Sequence, residues 1–163
     1  MDYQYLLFAH LLGLALFLIG HGVSMFFTQA LRRERQPDRL RAILDLSLSG
    51  LGLNYLGLVL LIGSGIWMGV AGGFFAQGWI WTAIAVLLVV MATMIYLGVT
   101  FFSPLRVAVG LQPYRQTSQV TLGPVASPEE LNRLLSGRQP GIATGVGIVG
   151  LLALLVLMVF KPF

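Results

Sequence analysis

The chain has 163 residues, of which 57% are hydrophobic and only 10% charged; its net charge is +4 and it contains no cysteine. An ordinary soluble domain carries about 25% charged residues, and a domain this small has too much surface for its volume to hide so much apolar matter. The composition therefore points to lipid as solvent, and it excludes disulfides, iron–sulfur clusters and thiolate zinc sites within the chain.

The sequence predicts a single transmembrane domain covering residues 1–163. A spanning helix needs about 20 mostly apolar residues. Four stretches qualify, at about 5–31, 43–70, 79–102 and 142–160. The fold class is all-α, a polytopic four-helix bundle. The N-terminal segment lacks a positive n-region and its apolar run is too long for a signal peptide, so it reads as a retained helix.

The first helix holds the only two histidines, His10 and His21. Eleven residues at 100° each bring them to within about 20° around the axis and separate them by about 16 Å along it. Gly13, Phe17, Gly20, Ser24 and Thr28 share that face. A small and polar stripe on a greasy helix faces the bundle interior, because lipid offers its polar groups no partners. Arg32, Arg33, Arg35, Arg39 and Arg41 follow in the first loop, at 32–42. In so apolar a chain, this cluster reads as a cytoplasmic loop against anionic headgroups rather than as a nucleic-acid surface.

Pro37 and Asp38 suit the first turn of helix two, which then begins before it enters the membrane. Asp45 lies near the arginines and is expected to pair with one. Asn54, near mid-membrane, shares its face with Ser47, Gly50 and Gly57 and needs a polar partner, for which His10 or His21 is suited. A turn at 71–78 makes helices two and three antiparallel neighbours. Trp79 and Trp81 open helix three at the level of the outer interface, where amphipathic rings are favoured.

Met91 and Met94 lie three apart on helix three, with Met25 and Met68 on other helices. Loop three, at 103–141, carries Arg106, Arg115, Arg133 and Arg138. Within it Ser127-Pro128-Glu129-Glu130 is a capping box. Leu131, Leu134 and Leu135 follow at helical spacing, and Gly137 is placed to end a short cytoplasmic helix there. Loop two and the N-terminal tail hold no basic residue, so both termini lie outside; Lys161 is the one exception to the charge bias. Gly65, Gly69 and Gly73 repeat every four residues, as do Gly141 and Gly145, and such rows let helices, or a partner subunit, approach closely.

Three readings of the histidine pair stay open. They serve as interhelical hydrogen bonds, as ligands of haem iron or another metal, or as a proton relay. Copper, held by His10 or His21 with Met91 and Met94, is the soft-ligand variant. For haem, each iron lacks a second histidine from this chain. Sites that need a phosphate-binding glycine loop or a His-Glu-x-x-His zinc motif are absent from the sequence.

The opening Phe8-Ala9-His10-Leu11-Leu12-Gly13 with Gly20, the basic loop, Gly63-Ser64-Gly65-Ile66-Trp67 and Gly78-Trp79-Ile80-Trp81 resemble a family of uncharacterised bacterial integral membrane proteins. That family is similar to the wider copper-resistance-D-like superfamily, which includes the haem-b protoporphyrinogen oxidases. The resemblance spans about the first 106 residues. It implies a four-helix bundle in the bacterial inner membrane, with His10 at the position of the haem-linked first-helix histidine. Those oxidases also rely on a membrane lysine, and this chain has none before Lys161. The functional expectation is a redox-linked membrane protein binding haem b through His10, with His21 as a second site. The alternative is an accessory subunit docked on a larger complex, or on its own copies, through the glycine rows.

Overall fold

The computed structural model describes residues 3–114 and 121–163. Arg115, counted in the charge bias above, lies outside the described residues. The described residues form α1 (Tyr3–Arg33), α2 (Pro37–Leu46), α3 (Ser49–Ala71), α4 (Gly78–Leu97), α5 (Ser103–Ala108), α6 (Pro128–Leu135) and α7 (Gln139–Phe160), and no strand. Four helical stretches are long and apolar enough to cross a membrane, and the chain is a multi-pass membrane protein.

The second and third spans are not the uninterrupted helices that hydropathy draws. The second breaks between α2 and α3 at Ser47 and Leu48. There the Ser47 hydroxyl donates to the Leu44 carbonyl at 2.7 Å and the Ser49 hydroxyl donates to the Leu46 carbonyl at 2.6 Å. Hydroxyls that bond nearby carbonyls compete with the helix ladder and bend it. The third span runs past residue 102: α4 passes through a π-helical turn, Gly98–Phe102, into α5. Pro104 explains the turn, since it brings no N–H to the carbonyl four residues back and its ring crowds that carbonyl. Ser103 Oγ donates to the Gly98 carbonyl at 3.2 Å.

Helix pairing differs from the expectation that helices two and three are neighbours. The main contacts are α1 with α3 and α4 with α7; α1 meets α7 over a smaller area. α3 and α4 are joined through the 3-10 turn Phe74–Ala76, where Gly73 adopts φ 66° and Phe75 lies over Gly69. Small residues decide the pairing. Leu6, Gly13 and Gly20 are buried on α1, and Gly50, Gly57 and Ser64 on α3, both at a spacing of seven. A seven-residue repeat keeps one seam facing its partner in a left-handed pair. A Cβ on Gly57 would stand 2.5 Å from the Phe17 amide nitrogen and 2.8 Å from the Gly13 carbonyl oxygen, so the backbones nearly touch.

At the arginine-bearing end, Leu31, Leu40, Leu44, Phe101, Leu105, Val109, Leu131 and Leu135 form a buried cluster. It joins α1, α2, α5 and α6. The leucine face of α6 is therefore turned onto the bundle. Ser127 caps that helix as expected, accepting from the Glu130 amide at 3.3 Å. Gly137 does not end it in a left-handed turn; the helix stops at Leu135, and Gly73 and Gly110 are the described glycines with positive φ.

At the opposite end Trp79 is only 2% exposed, packed with Ile80, Ala83 and Leu157, whereas Trp81 is 58% exposed. Trp79 belongs to the core, and only the Trp81 ring is turned outward. The Lys161 ammonium lies 4.5 Å from the centre of the Phe74 ring, and the Trp79 amide donates to the Phe163 carbonyl at 3.0 Å.

Candidate functional site: the two histidines of the first helix

The polar stripe of α1 faces inward, and its hydroxyls are satisfied within the helix: Ser24 donates to the Gly20 carbonyl at 3.0 Å and Thr28 to the Ser24 carbonyl at 2.8 Å. The histidines have different surroundings. His10 is half-buried against α3, with Nδ1 at 3.0 Å from Ser64 Oγ. Its ring lies over Gly65, where a Cβ would stand 3.3 Å from His10 Cε1. Ser64 itself donates to the Leu60 carbonyl of its own helix.

His21 packs against α7 rather than α3. It stacks on Phe17, with ring centroids 5.6 Å apart and planes 10° apart. Its Nε2 is buried against Gly147 of α7 and has no hydrogen-bond partner among the described residues. Met94 Cε approaches the same glycine.

Asn54 joins neither histidine. It packs on Gly20, and its Oδ1 is buried without a partner among the described residues. Antiparallel register gives the reason. The pairs His10–Ser64, Gly13–Leu61, Phe17–Gly57 and Gly20–Asn54 each have residue numbers summing to 74. His10 is thus about 15 Å along the axis from the level of Asn54. His21 is at the right level but turned about 100° toward α7.

Of the residues expected to hold copper, His21 and the Met94 methyl both approach the Gly147 Cβ position, while His10 sits at another level, against α3. No group of three or more His, Cys, Asp or Glu able to hold a metal occurs among the described residues.

The expected packing glycines divide into three groups. Gly13 and Gly20 make the α1–α3 contact, while Gly65 seats His10 and Gly69 receives Phe75. Gly73 serves the turn through its positive φ rather than a helix face. Gly141 and Gly145 stay outside the bundle contacts: Gly145 has nothing within 4 Å of a Cβ position, and Gly141 meets only Arg32 Nη1 at 3.9 Å. The α7 glycines that pack inside are Gly147 and Gly150, the latter against Val90.

Arg106 is another feature that loop chemistry did not announce. It is 5% exposed. Its Nε donates to the Gln112 carbonyl at 2.7 Å and its Nη1 to the Leu44 carbonyl at 2.8 Å, with the guanidinium 4.9 Å from the centre of the Tyr114 ring. The Tyr114 hydroxyl is 3.1 Å from Ser47 Oγ. Arg106 thus ties the α2–α3 break to the chain just past the π turn. Asp45, expected to pair with an arginine, is exposed and forms no ion pair among the described residues.

Comparison of the chain with family models, with curated proteins and with solved structures gives no match.

Proposed function

We propose that this protein of the bacterial cytoplasmic membrane holds haem b through His10. Its arginine-bearing end lies in the cytoplasm and both termini lie outside. The orientation is supported by Arg32, Arg33, Arg35, Arg39 and Arg41, all exposed at one end of the bundle, where anionic headgroups meet them.

The observation that carries the haem reading is the 3.0 Å contact of His10 Nδ1 with Ser64 Oγ. It secures one ring nitrogen on α3 and directs the other, Nε2, away from that contact. Ligating histidines are held this way, with the second nitrogen bonded to an oxygen that fixes the ring's orientation. Gly65 contributes a seat with no side chain to crowd the imidazole. Haem b, when bound, supplies one-electron chemistry; the chain supplies the ligand, its orientation and an apolar surround.

His21 is left out of this ligand set, since its Nε2 is pressed on the α7 backbone and has no open side. Protoporphyrinogen oxidation is left out as well. The chain's single lysine, Lys161, lies past the end of α7 and engages the Phe74 and Trp79 rings.

The test is the visible spectrum of detergent-purified protein from haem-replete cells, oxidised and reduced. A Soret band is expected, lost in His10→Ala and retained in Asn54→Ala. A colourless wild-type protein overturns the reading.

A second reading is favoured by the open space at Gly145 and the near-open Gly141 on α7. There a helix of another subunit, or of a second copy, can approach the backbone closely, and the protein is then an accessory component without pigment. Stoichiometric co-purification that is lost in Gly145→Leu supports it; a monomeric wild-type protein in mild detergent removes it.

A further inference from the structure

We infer that Ser64 is a positioning residue that fixes His10 as its Nδ1–H tautomer and so leaves the lone pair on Nε2. What that lone pair is for rests on the haem reading above; the tautomer rests only on hydrogen bonds within the chain.

The argument is a count of protons. A serine hydroxyl has one hydrogen to donate and two lone pairs to accept with. The Ser64 hydroxyl directs its hydrogen to the Leu60 carbonyl, one turn back in α3. A carbonyl oxygen can only accept, so that bond cannot run the other way. The contact between Ser64 Oγ and His10 Nδ1 then needs a hydrogen from the imidazole, because two lone pairs at 3.0 Å would repel. In neutral imidazole a hydrogen on Nδ1 leaves Nε2 unprotonated.

Ser64 also holds the ring in place. It is buried at the α1–α3 seam, seven residues past Gly57 and opposite His10 in the antiparallel register. Its neighbour Gly65 leaves room for the ring. No other histidine in the chain shares this arrangement, as His21 faces Gly147 and a stacked phenylalanine instead. The two imidazoles on one face of one helix thus have separate tasks: His10 presents a lone pair, and His21 fills the α1–α7 seam.

The experiment is nitrogen-15 NMR of histidine-labelled protein without added haem, in lipid bilayers at neutral pH, with His21→Asn used to assign the two rings. The expected result is a protonated Nδ1 and an unprotonated Nε2 for His10. Ser64→Ala should move the majority of His10 to the Nε2–H form. Ser64→Thr should keep the wild-type pattern, because a threonine hydroxyl can also donate to the carbonyl one turn back. Nε2–H as the major form of the wild-type protein overturns the inference, even if Ser64→Ala fails to fold. The result is independent of pigment. Nδ1–H in a protein that never binds haem upholds the role of Ser64 and removes the haem reading. Nε2–H in a pigmented protein does the reverse.

Discussion

His21 Nε2 stands against Gly147, so the first and last spans meet where an imidazole edge faces a residue with no side chain. That nitrogen is buried and has no hydrogen-bond partner among the described residues. This contact lies on the narrower α1–α7 seam that joins the two tightly packed helix pairs. Gly147→Ala places a methyl group on Nε2. The expected cost is about 1–3 kcal/mol, the usual penalty for overpacking. In a His21→Ala background the same change should cost much less, because contacting residues are coupled by about 0.5–3 kcal/mol. Thermal or denaturant unfolding in detergent measures both; equal costs in the two backgrounds would place the strain elsewhere.

Gly57 sits in a tighter place than Gly147, because a Cβ there meets backbone: the Phe17 nitrogen at 2.5 Å and the Gly13 oxygen at 2.8 Å. Backbone atoms cannot rotate away as a side chain can, so α1 and α3 must separate along their length. Gly57→Ala should destabilise by at least about 1–3 kcal/mol. Gly52, on the same helix with nothing within 4 Å, is the control. Gly52→Ala should not destabilise, since alanine at an open helix position gains up to about 1 kcal/mol over glycine. A similar loss at both sites, read by unfolding in detergent, would show that α3 is not held by close backbone contact.

The contrast between these glycines marks how far the sequence could be read. Four spans, the inward stripe of α1 and the capped α6 follow from hydropathy, spacing and turn chemistry, all of which are local. Which helix packs on which is not local. In lipid, leucine and isoleucine suit the outside of a bundle as well as the inside, so hydropathy does not rank faces. Only the small and polar residues discriminate. Their rows on α1 and α3 are legible, but on α7 the four-residue repeat of Gly141 and Gly145 marks the face roughly opposite to Gly147 and Gly150. Register was hidden for a similar reason: periodicity shows that Asn54 and the histidines look inward, but not that Asn54 stops opposite Gly20. Ser64 was legible only as part of a glycine-flanked motif, and its role depends on the level at which α3 meets α1. Arg106 looked like one more loop arginine because its burial depends on α2, α5 and Tyr114 meeting at one point.

Arg106 gives the arginine-bearing end its sharpest dependence on one side chain. Its guanidinium satisfies the Leu44 and Gln112 carbonyls, with no carboxylate among its ion-pair partners in the described residues. Arg106→Ala removes one hydrogen bond from each carbonyl, at about 0.5–1.5 kcal/mol apiece; Leu44 keeps the Ser47 hydroxyl. Arg106→Lys should rescue only in part, because an ammonium lacks the planar fork that reaches both acceptors. The damage should be local. Hydrogen exchange of α2 and of the Ser47–Leu48 break should accelerate, while the α4–α7 pair keeps its protection. Uniform acceleration through all four spans would mean that Arg106 holds the whole bundle rather than this junction.

Glu34 makes the same end sensitive to acid. Its carboxylate accepts from the Gln36 amide at 2.9 Å and the Arg35 amide at 2.8 Å, and lies 3.7 Å from Arg39 Nη1. The Gln36 amide bond, then that of Arg35, outweighs the desolvation that opposes them; with the smaller contribution of Arg39, they hold the pKa below its ordinary value. A carboxyl with a depressed folded-state pKa stabilises above its unfolded value, and that stabilisation fades as pH falls through the folded one. The α1–α2 turn should therefore hold at neutral pH and loosen on acidification from the ordinary carboxylate range downward. Glu34→Gln should be looser at neutral pH and show no such step. Salt should weaken only the Arg39 part, since that ion pair is screened while the two amide bonds are short-range. Amide exchange at Arg35 and Gln36, followed from neutral to acidic pH and corrected for intrinsic rates, reads the effect. A step that persists unchanged in Glu34→Gln would assign the acid sensitivity to another carboxylate.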